Sequence, residues 1–351
     1  MIRDAMLKHP ARPNRLRFYD QHPAISDFHA EVLHGLNRRP RSIGPKFFYD
    51  EYGSRLFDAI THTREYYPTR TELAILEQYK DDIARHIGSD CVLIEPGSGN
   101  SRKVRVLLDS LKPRAYIPID ISKDYLRSTS RHIAAEYPWL EVHAVCADYT
   151  AEFTLPDGPD GPEGGAVVAF FPGSTIGNFE PEQAVAFLRT IAAKVQGHGG
   201  LLIGVDLKKH PQRLTAAYND IQGITAAFNL NLLTRVNREL QGDFDLDRFH
   251  HHAFYNADMG RIEMHLVSAD AQRVRVAGED FWFEKSETIH TENSYKYSID
   301  EFKMLAARAG FRSDAVWTDA EQLFSIHYFR SNAAPQGKQI PRHHANIEPQ
   351  P

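Results

Sequence analysis

Two carboxylates stand where apolar runs end. Val92-Leu93-Ile94 closes on Glu95 and opens into Pro96-Gly97-Ser98-Gly99, and Tyr116-Ile117-Pro118-Ile119 closes on Asp120. Each run reads as a buried strand with an acid at its C-terminal tip. The glycines after the first let the backbone approach a ligand closely, and an acid at the tip of the second can accept hydrogen bonds from ribose hydroxyls. The chemistry implied is the holding of an adenosine-type cofactor.

The form of the turn narrows the cofactor. A dinucleotide site places a third glycine where the helix packs beside the pyrophosphate. Here Gly97-Ser98-Gly99-Asn100-Ser101 leads to Arg102 at that position. S-adenosylmethionine has no pyrophosphate and tolerates the change, so an NAD-dependent oxidoreductase is disfavoured. Asp148 and Gly173 stand at or just beyond further strand ends and join the candidate ligand edge.

The elements that would position these groups alternate. The strands are expected at 91–95, 115–119, 141–145, 166–171 and 201–205, with helices over 71–87 and starting near Ser101, Lys123 and Glu180. Val104, Leu107, Leu108 and Leu111 form one helix face, and Leu73, Leu76 and Tyr79 another. Alternating strand and helix with short connections specifies a parallel sheet covered on both faces. A helix over 298–310 and strands over 311–318 and 323–329 suit a late antiparallel hairpin. The fold class is thus α/β, and the late hairpin after a parallel core resembles the finish of a Rossmann-like class I methyltransferase sheet. Between 207 and 297 the pattern changes to a largely helical 212–241 and then alternating strands at 262–267, 273–276 and 280–284. The expected partition is 71–207 plus 298–331 for the cofactor and 17–70 plus 208–297 as an α+β substrate-recognition unit, with 1–16 and 333–351 disordered.

The chain has 351 residues, 42% hydrophobic and 25% charged, with a net charge of −5. This is an ordinary globular composition, with no basic run to suit nucleic acid and no apolar stretch of membrane-spanning length. The N-terminus lacks a secretory signal's apolar core, and Cys91 and Cys146 sit in strand-like runs as buried thiols. A cytoplasmic protein is expected. His250-His251-His252 has no ligand partner at metal spacing and reads as a solvated helix end, so no metal is expected.

Tyr49-Asp50-Glu51-Tyr52-Gly53-Ser54, Glu65-Tyr66-Tyr67-Pro68-Thr69-Arg70, Gly173-Ser174-Thr175-Ile176-Gly177-Asn178, Ala226-Ala227-Phe228-Asn229-Leu230-Asn231, Arg261-Ile262-Glu263-Met264 and Thr291-Glu292-Asn293-Ser294 carry a closer likeness. In this order, over about residues 20–331, the chain resembles the histidine-specific Nα-methyltransferases of ergothioneine biosynthesis, in their stand-alone rather than fused form. The resemblance implies three methyl transfers from S-adenosylmethionine to the α-amino group of L-histidine, giving hercynine. It implies a monomer, and sulfur insertion by a separate iron-dependent sulfoxide synthase. It places Gly97, Lys103, Asp120, Asp148 and Tyr149 on the cofactor, Tyr149 standing where the family often has Phe. Asn178 and Tyr218 fall at the substrate's amino-acid end, and Tyr66, Met264, Glu292 and Ser294 on its imidazole side. Tyr49, Phe57 and the Gly173 backbone fall at the reacting amine.

Without the resemblance these residues read more plainly. Glu292 and Ser294 would be a solvent-facing polar strand, Tyr66 and Met264 core, and Asn178 a loop end. The alternative function is an S-adenosylmethionine-dependent N-methyltransferase of another amino acid or amine. An indole substrate has one N–H to satisfy, and the pair Glu292 and Ser294 speaks against it.

Overall fold

A computed structural model describes residues 15–21, 28–156, 166–195 and 199–332. Strand β1 (Leu16–Asp20) comes first, then helix α1 (Phe28–Asn37), the short β2 (Arg41–Ser42), α2 (Glu51–Ile60) and α3 (Tyr67–Ile87). The alternating region follows as β3 (Val92–Pro96), α4 (Arg102–Leu111), β4 (Ala115–Asp120), α5 (Lys123–Glu136), β5 (Glu141–Cys146), β6 (Val167–Phe171), α6 (Pro181–Lys194) and β7 (Gly200–Asp206). The strands are parallel and nearly all buried, as expected of strands covered on both faces. Val104, Leu107, Leu108 and Leu111 form the buried face of α4 as their spacing predicts.

After β7 come α7 (Pro211–Ala217) and α8 (Ile224–Leu240), then β8 (Phe249–Asn256), β9 (Arg261–Ser268), β10 (Gln272–Val276), β11 (Glu279–Phe283) and β12 (Thr288–Tyr295). The chain closes with α9 (Ile299–Arg308), β13 (Phe311–Thr318) and β14 (Phe324–Ser331). Helix α9 starts where Ser298 and Glu301 form a reciprocal capping box. The eight-stranded sheet runs β1-β5-β4-β3-β6-β7-β14-β13, its last two strands antiparallel. The chain winds outward from β3 through β4 to β5 and then resumes at β6 on the other side. The switch point between β3 and β6 is where such sheets bind ligands. A second sheet, β2-β12-β9-β8, lies with the β10-β11 hairpin.

The apolar core divides in the same way. One cluster covers each face of the large sheet, around Ile94, Ile119 and Phe171 on one side and Leu93, Tyr116 and Phe170 on the other. A third joins α1, α2 and α8 to the small sheet through Phe48, Phe228, Leu232, Met264 and Leu266.

Three expectations are corrected. Residues 17–20, expected with the substrate-recognition unit, belong with Leu16 to an edge strand of the eight-stranded sheet, paired in parallel with β5. The helical stretch 212–241 breaks over 218–223, where Asp220 accepts from the Ile224 and Thr225 N–H groups and starts α8. The three consecutive histidines lie in strand β8, not at a helix end. The buried side of α3 is centred on Glu72, Ile75, Leu76 and Ile83, with Leu73 and Tyr79 at its margins. The expectations for 1–14 and 333–351 fall outside the described residues. No described helix is long and apolar enough to cross a membrane.

Candidate active site

The glycine turn after β3 is tied to its neighbour. The Gly97 and Ser98 N–H groups both donate to the Ile119 carbonyl, at 2.8 and 3.2 Å. Gly97 has φ +70°, and a Cβ there would lie 3.2 Å from the Tyr149 ring. The left-handed backbone favours glycine, and any side chain there would also have to shift the Tyr149 ring by a few tenths of an ångström. Asp120 ends β4 with Oδ2 accepting from Gly99 N–H (3.2 Å) and Oδ1 from Ser122 N–H (2.9 Å). Burial lifts its carboxyl above the usual range against the pull of these donors. Asp148 accepts from the Thr150 N–H and hydroxyl at 2.8 and 2.6 Å. Tyr149 packs edge-on to Phe171 and Phe187. The result is a cradle open at its backbone, with two acids and a flat ring, which fits the ribose and adenine of S-adenosylmethionine.

A buried acid that sequence reasoning missed joins this cradle to the next space. Glu72, 1% exposed, pairs with Lys103 Nζ at 2.5 Å and accepts the Gly173 N–H on both oxygens, at 2.9 and 3.0 Å. It can sit there because residue 204 is glycine; a Cβ at Gly204 would lie 2.0 Å from Glu72 Oε1. The signal available in the sequence was an acid at helical spacing from Ile75, Leu76 and Ile83.

Beyond Gly173 lies a pocket lined by Tyr49, Phe57, Tyr66, Gly173, Asn178, Tyr218, Met264, Glu292 and Ser294. All the residues expected at the substrate and the reacting amine are thus brought together. The aromatic wall is edge-packed, Tyr66 against Phe57 and Tyr218 at 6.4 and 6.2 Å, and Tyr49 against Phe57 at 5.7 Å. Tyr218 donates its hydroxyl proton to Ser294 Oγ at 2.8 Å. Burial pushes the Glu292 carboxyl up to about 7, with Lys296 pulling the other way.

Glu292 and Ser294 reach the pocket through an irregularity in β12. Ile289 pairs with Leu266 in the core and His290 with His265 on the opposite face. The register then shifts, so that Glu292 faces Met264 and Ser294 faces Ile262. Thr291 holds the bulge, its hydroxyl near the Asn229 side-chain oxygen (2.8 Å) and the Met264 carbonyl (3.0 Å). Were Thr291 instead paired in regular register opposite Met264, strict alternation would turn Glu292 and Ser294 away from the pocket.

Other motifs supply support. Asp50 caps α2 by accepting from Gly53 N–H (2.7 Å) and also accepts from Asn231 (2.9 Å), so the segment carrying Tyr49 is anchored to α8. His251 bonds the Tyr218 carbonyl through Nε2 (2.8 Å) and the Asn229 side chain through Nδ1 (2.9 Å). Phe228, Asp206 and Lys296 also line the pocket and were not anticipated. Among the described residues one group has metal-ligand types, Glu263, His265 and His290. Its two rings stack at 4.6 Å with 14° between planes, and Arg261 occupies Glu263 at 2.8 Å. In-plane lone pairs of stacked rings run side by side and do not converge on one ion.

Comparison with known proteins identifies the family. A family model described as histidine-specific methyltransferase, SAM-dependent, matches residues 28–331. Histidine N-alpha-methyltransferase of Mycolicibacterium smegmatis is 45% identical over 302 residues, covering 84% of this chain and 92% of that protein. The protein of the same name from Mycobacterium tuberculosis is 41% identical over the same shares. Ergothioneine biosynthesis protein 1 of Schizosaccharomyces pombe is 29% identical over 274 residues, 75% of this chain and 35% of that protein. The chain therefore belongs to the histidine-specific, S-adenosylmethionine-dependent methyltransferase family.

Proposed function

We propose that this chain methylates the α-amino nitrogen of L-histidine three times in succession, giving hercynine, the first step of ergothioneine biosynthesis. The observation that carries this is the pocket in which Glu292 and Ser294 project together from one strand, a short distance from the Gly173–Glu72–Lys103 junction with the cofactor cradle. Gly97, Lys103, Asp120, Asp148 and Tyr149 hold S-adenosylmethionine, Asp120 at the ribose diol and Asp148 with Tyr149 at the adenine. When bound, that molecule supplies an electrophilic methyl group on a sulfonium.

The protein's part is positioning. Displacement needs a neutral amine lone pair in line with the methyl, and fixing that geometry is worth up to about 7–11 kcal/mol. Asn178 donates to the carboxylate at the amino-acid end, where the Tyr218 ring packs with its hydroxyl proton committed to Ser294, and Tyr66, Met264, Glu292 and Ser294 take the imidazole end. Tyr49 and Phe57 close the site beside the Gly173 backbone. The amine loses N–H groups as it gains methyls, so no polar contact to it is needed in every round. A carboxylate and a hydroxyl together satisfy two ring nitrogens, and a site built this way rejects rings that lack them by up to ~10⁴-fold. This is the support for histidine over an indole amino acid.

The division of labour follows the layers: 71–207 and 298–331 bind the cofactor, and the α8 and small-sheet layer selects the substrate. We also propose a cytoplasmic monomer that passes hercynine to a separate iron-dependent sulfoxide synthase; its two buried thiols suit a reducing compartment. The test is Glu292→Asn combined with Ser294→Thr. Histidine use should fall by about 100-fold or more, while S-adenosylmethionine binding by calorimetry stays within about twofold. Unchanged histidine kinetics would remove the imidazole assignment.

A further inference from the structure

Lys296 is 2% exposed, yet it lines the pocket. Its ammonium has three near neighbours: Asp206 Oδ2 at 2.7 Å, Ser294 Oγ at 2.7 Å and the Tyr218 hydroxyl at 3.1 Å. Two of the three are hydroxyls of the same pocket. Asp206 is anchored independently of Lys296, by the Tyr67 hydroxyl at 2.8 Å and Lys209 at 2.5 Å. Its backbone N–H also donates to Ser174 Oγ (2.9 Å), one residue from Gly173.

The hydrogen-bond inventory then constrains the protons. An ammonium only donates, so Ser294 Oγ and Tyr218 Oη both accept from Lys296. Tyr218 also donates to Ser294. Both lone pairs of Ser294 Oγ are thereby engaged, and its own proton has nowhere to point but into the pocket. Ser294 is a committed donor. Glu292, when ionised, is a committed acceptor. A pocket with one fixed donor and one fixed acceptor matches a ring with one bare nitrogen and one N–H. An imidazolium, with two N–H groups, would press a proton against the Ser294 proton.

We propose that Lys296, held by Asp206, is a positioning residue that orients the Ser294 and Tyr218 hydroxyls, so that the pocket takes up the neutral imidazole in a single tautomer. The inference rests on the histidine assignment above and specifies the form in which the ring is bound.

The direct test needs no variant. Ring-¹⁵N-labelled L-histidine is bound to the protein with S-adenosylhomocysteine and observed by ¹⁵N NMR near the pH where free histidine is half protonated. The expected spectrum shows one bare and one protonated ring nitrogen, in slow exchange with the free ligand. A bound imidazolium, or two tautomers averaging, would overturn the proposal and leave the histidine assignment standing. No histidine binding at all would defeat both.

Lys296→Met supplies the second arm. Asp206 keeps Tyr67 and Lys209, so its buried charge stays compensated. We expect kcat/KM for histidine to fall about 10- to 100-fold, with S-adenosylmethionine affinity unchanged. Discrimination against an analogue whose ring keeps the N–H but has carbon in place of the bare nitrogen should narrow by a similar factor. In a Ser294→Ala background the same change should have little further effect on that ratio. Simple additivity of the two changes, or an equal loss for both ligands, would mean that Lys296 acts only as packing; if the variant does not fold, the NMR result decides.

Discussion

At the scale of single residues, Glu292 links burial to binding. Its carboxyl is pushed up to about 7 because the pocket strips it of water while the Tyr49, Tyr66 and Tyr218 phenols surround it, with Lys296 as the opposing charge. The direction of the consequence follows from linkage. The free protein holds this proton more tightly than the unfolded chain, so Glu292's contribution to stability is fully present below about 4.5 and is lost as pH rises through about 7. In the proposed role histidine binding runs the other way, because the ionised group accepts a ring N–H more strongly than the protonated one and offers no competing proton. The histidine Kd, measured with S-adenosylhomocysteine present, should therefore tighten as pH rises through about 7. Glu292→Gln should remove that limb, and the free ligand's own titration is common to both proteins and cancels. A wild-type profile indistinguishable from that of the variant would contradict the role. On the cofactor side, Gly97→Ala forces φ +70° on a residue with a Cβ and drives that atom to 3.2 Å from Tyr149. Left-handed backbone costs about 1–2 kcal/mol, and displacement of the ring adds to it, so S-adenosylmethionine affinity should fall at least about tenfold by calorimetry.

At the scale of elements, the β12 bulge decides which side chains line the pocket. Thr291→Val keeps the shape but removes the hydroxyl facing Asn229 and the Met264 carbonyl. We expect a loss of about 1–2 kcal/mol in denaturant unfolding and a histidine KM raised more than the cofactor's Kd. A stable variant with normal histidine kinetics would show that the bulge needs no such tie. The bulge also marks how far the sequence was legible. The parallel strands and α4 could be read because apolar runs and helical spacing repeat over several residues. The spacing of Glu292 and Ser294 gave their common side, but not which side, since an inserted residue leaves no periodic trace. Glu72 and Lys296 were hidden for a related reason. Each is a charge buried by partners far away in sequence, Lys103 and Gly173 for one and Asp206 for the other. The strand Leu16–Asp20 was obscured by its basic, proline-containing surroundings, and its pairing with β5 depends on contacts over 100 residues away. The cofactor edge at Gly97, Asp120, Asp148 and Gly173 was legible from strand ends and the glycine turn, whereas the substrate-side residues came from the family resemblance, since local pattern alone assigns them to core and surface.

At the scale of the whole molecule, the two sheets meet along polar joints at the substrate's side. Glu180, at the start of α6, accepts from Arg261 (2.9 Å), Asn293 (2.8 Å) and Tyr295 (2.5 Å) of the small sheet. Lys296 reaches Asp206 at the end of β7 in the same seam. Glu180→Ala should cost about 1 kcal/mol, since the carboxylate is partly exposed and screened. It should raise the histidine KM several-fold while S-adenosylmethionine binding is kept. Equal loss of both ligands would show that the seam serves folding rather than the alignment of one layer with the other. The alignment matters because, in the proposed reaction, the methyl donor sits against the large sheet and the imidazole of the acceptor against the small one. The central claim is that this junction delivers methyl groups to the α-nitrogen of histidine. Its most direct test is mass spectrometry of an equimolar mixture of the common amino acids incubated with the protein and S-adenosylmethionine. Histidine alone should be consumed, with fragments that place three methyl groups on the α-nitrogen. Methylation of a different amino acid, or of the imidazole ring, would contradict it.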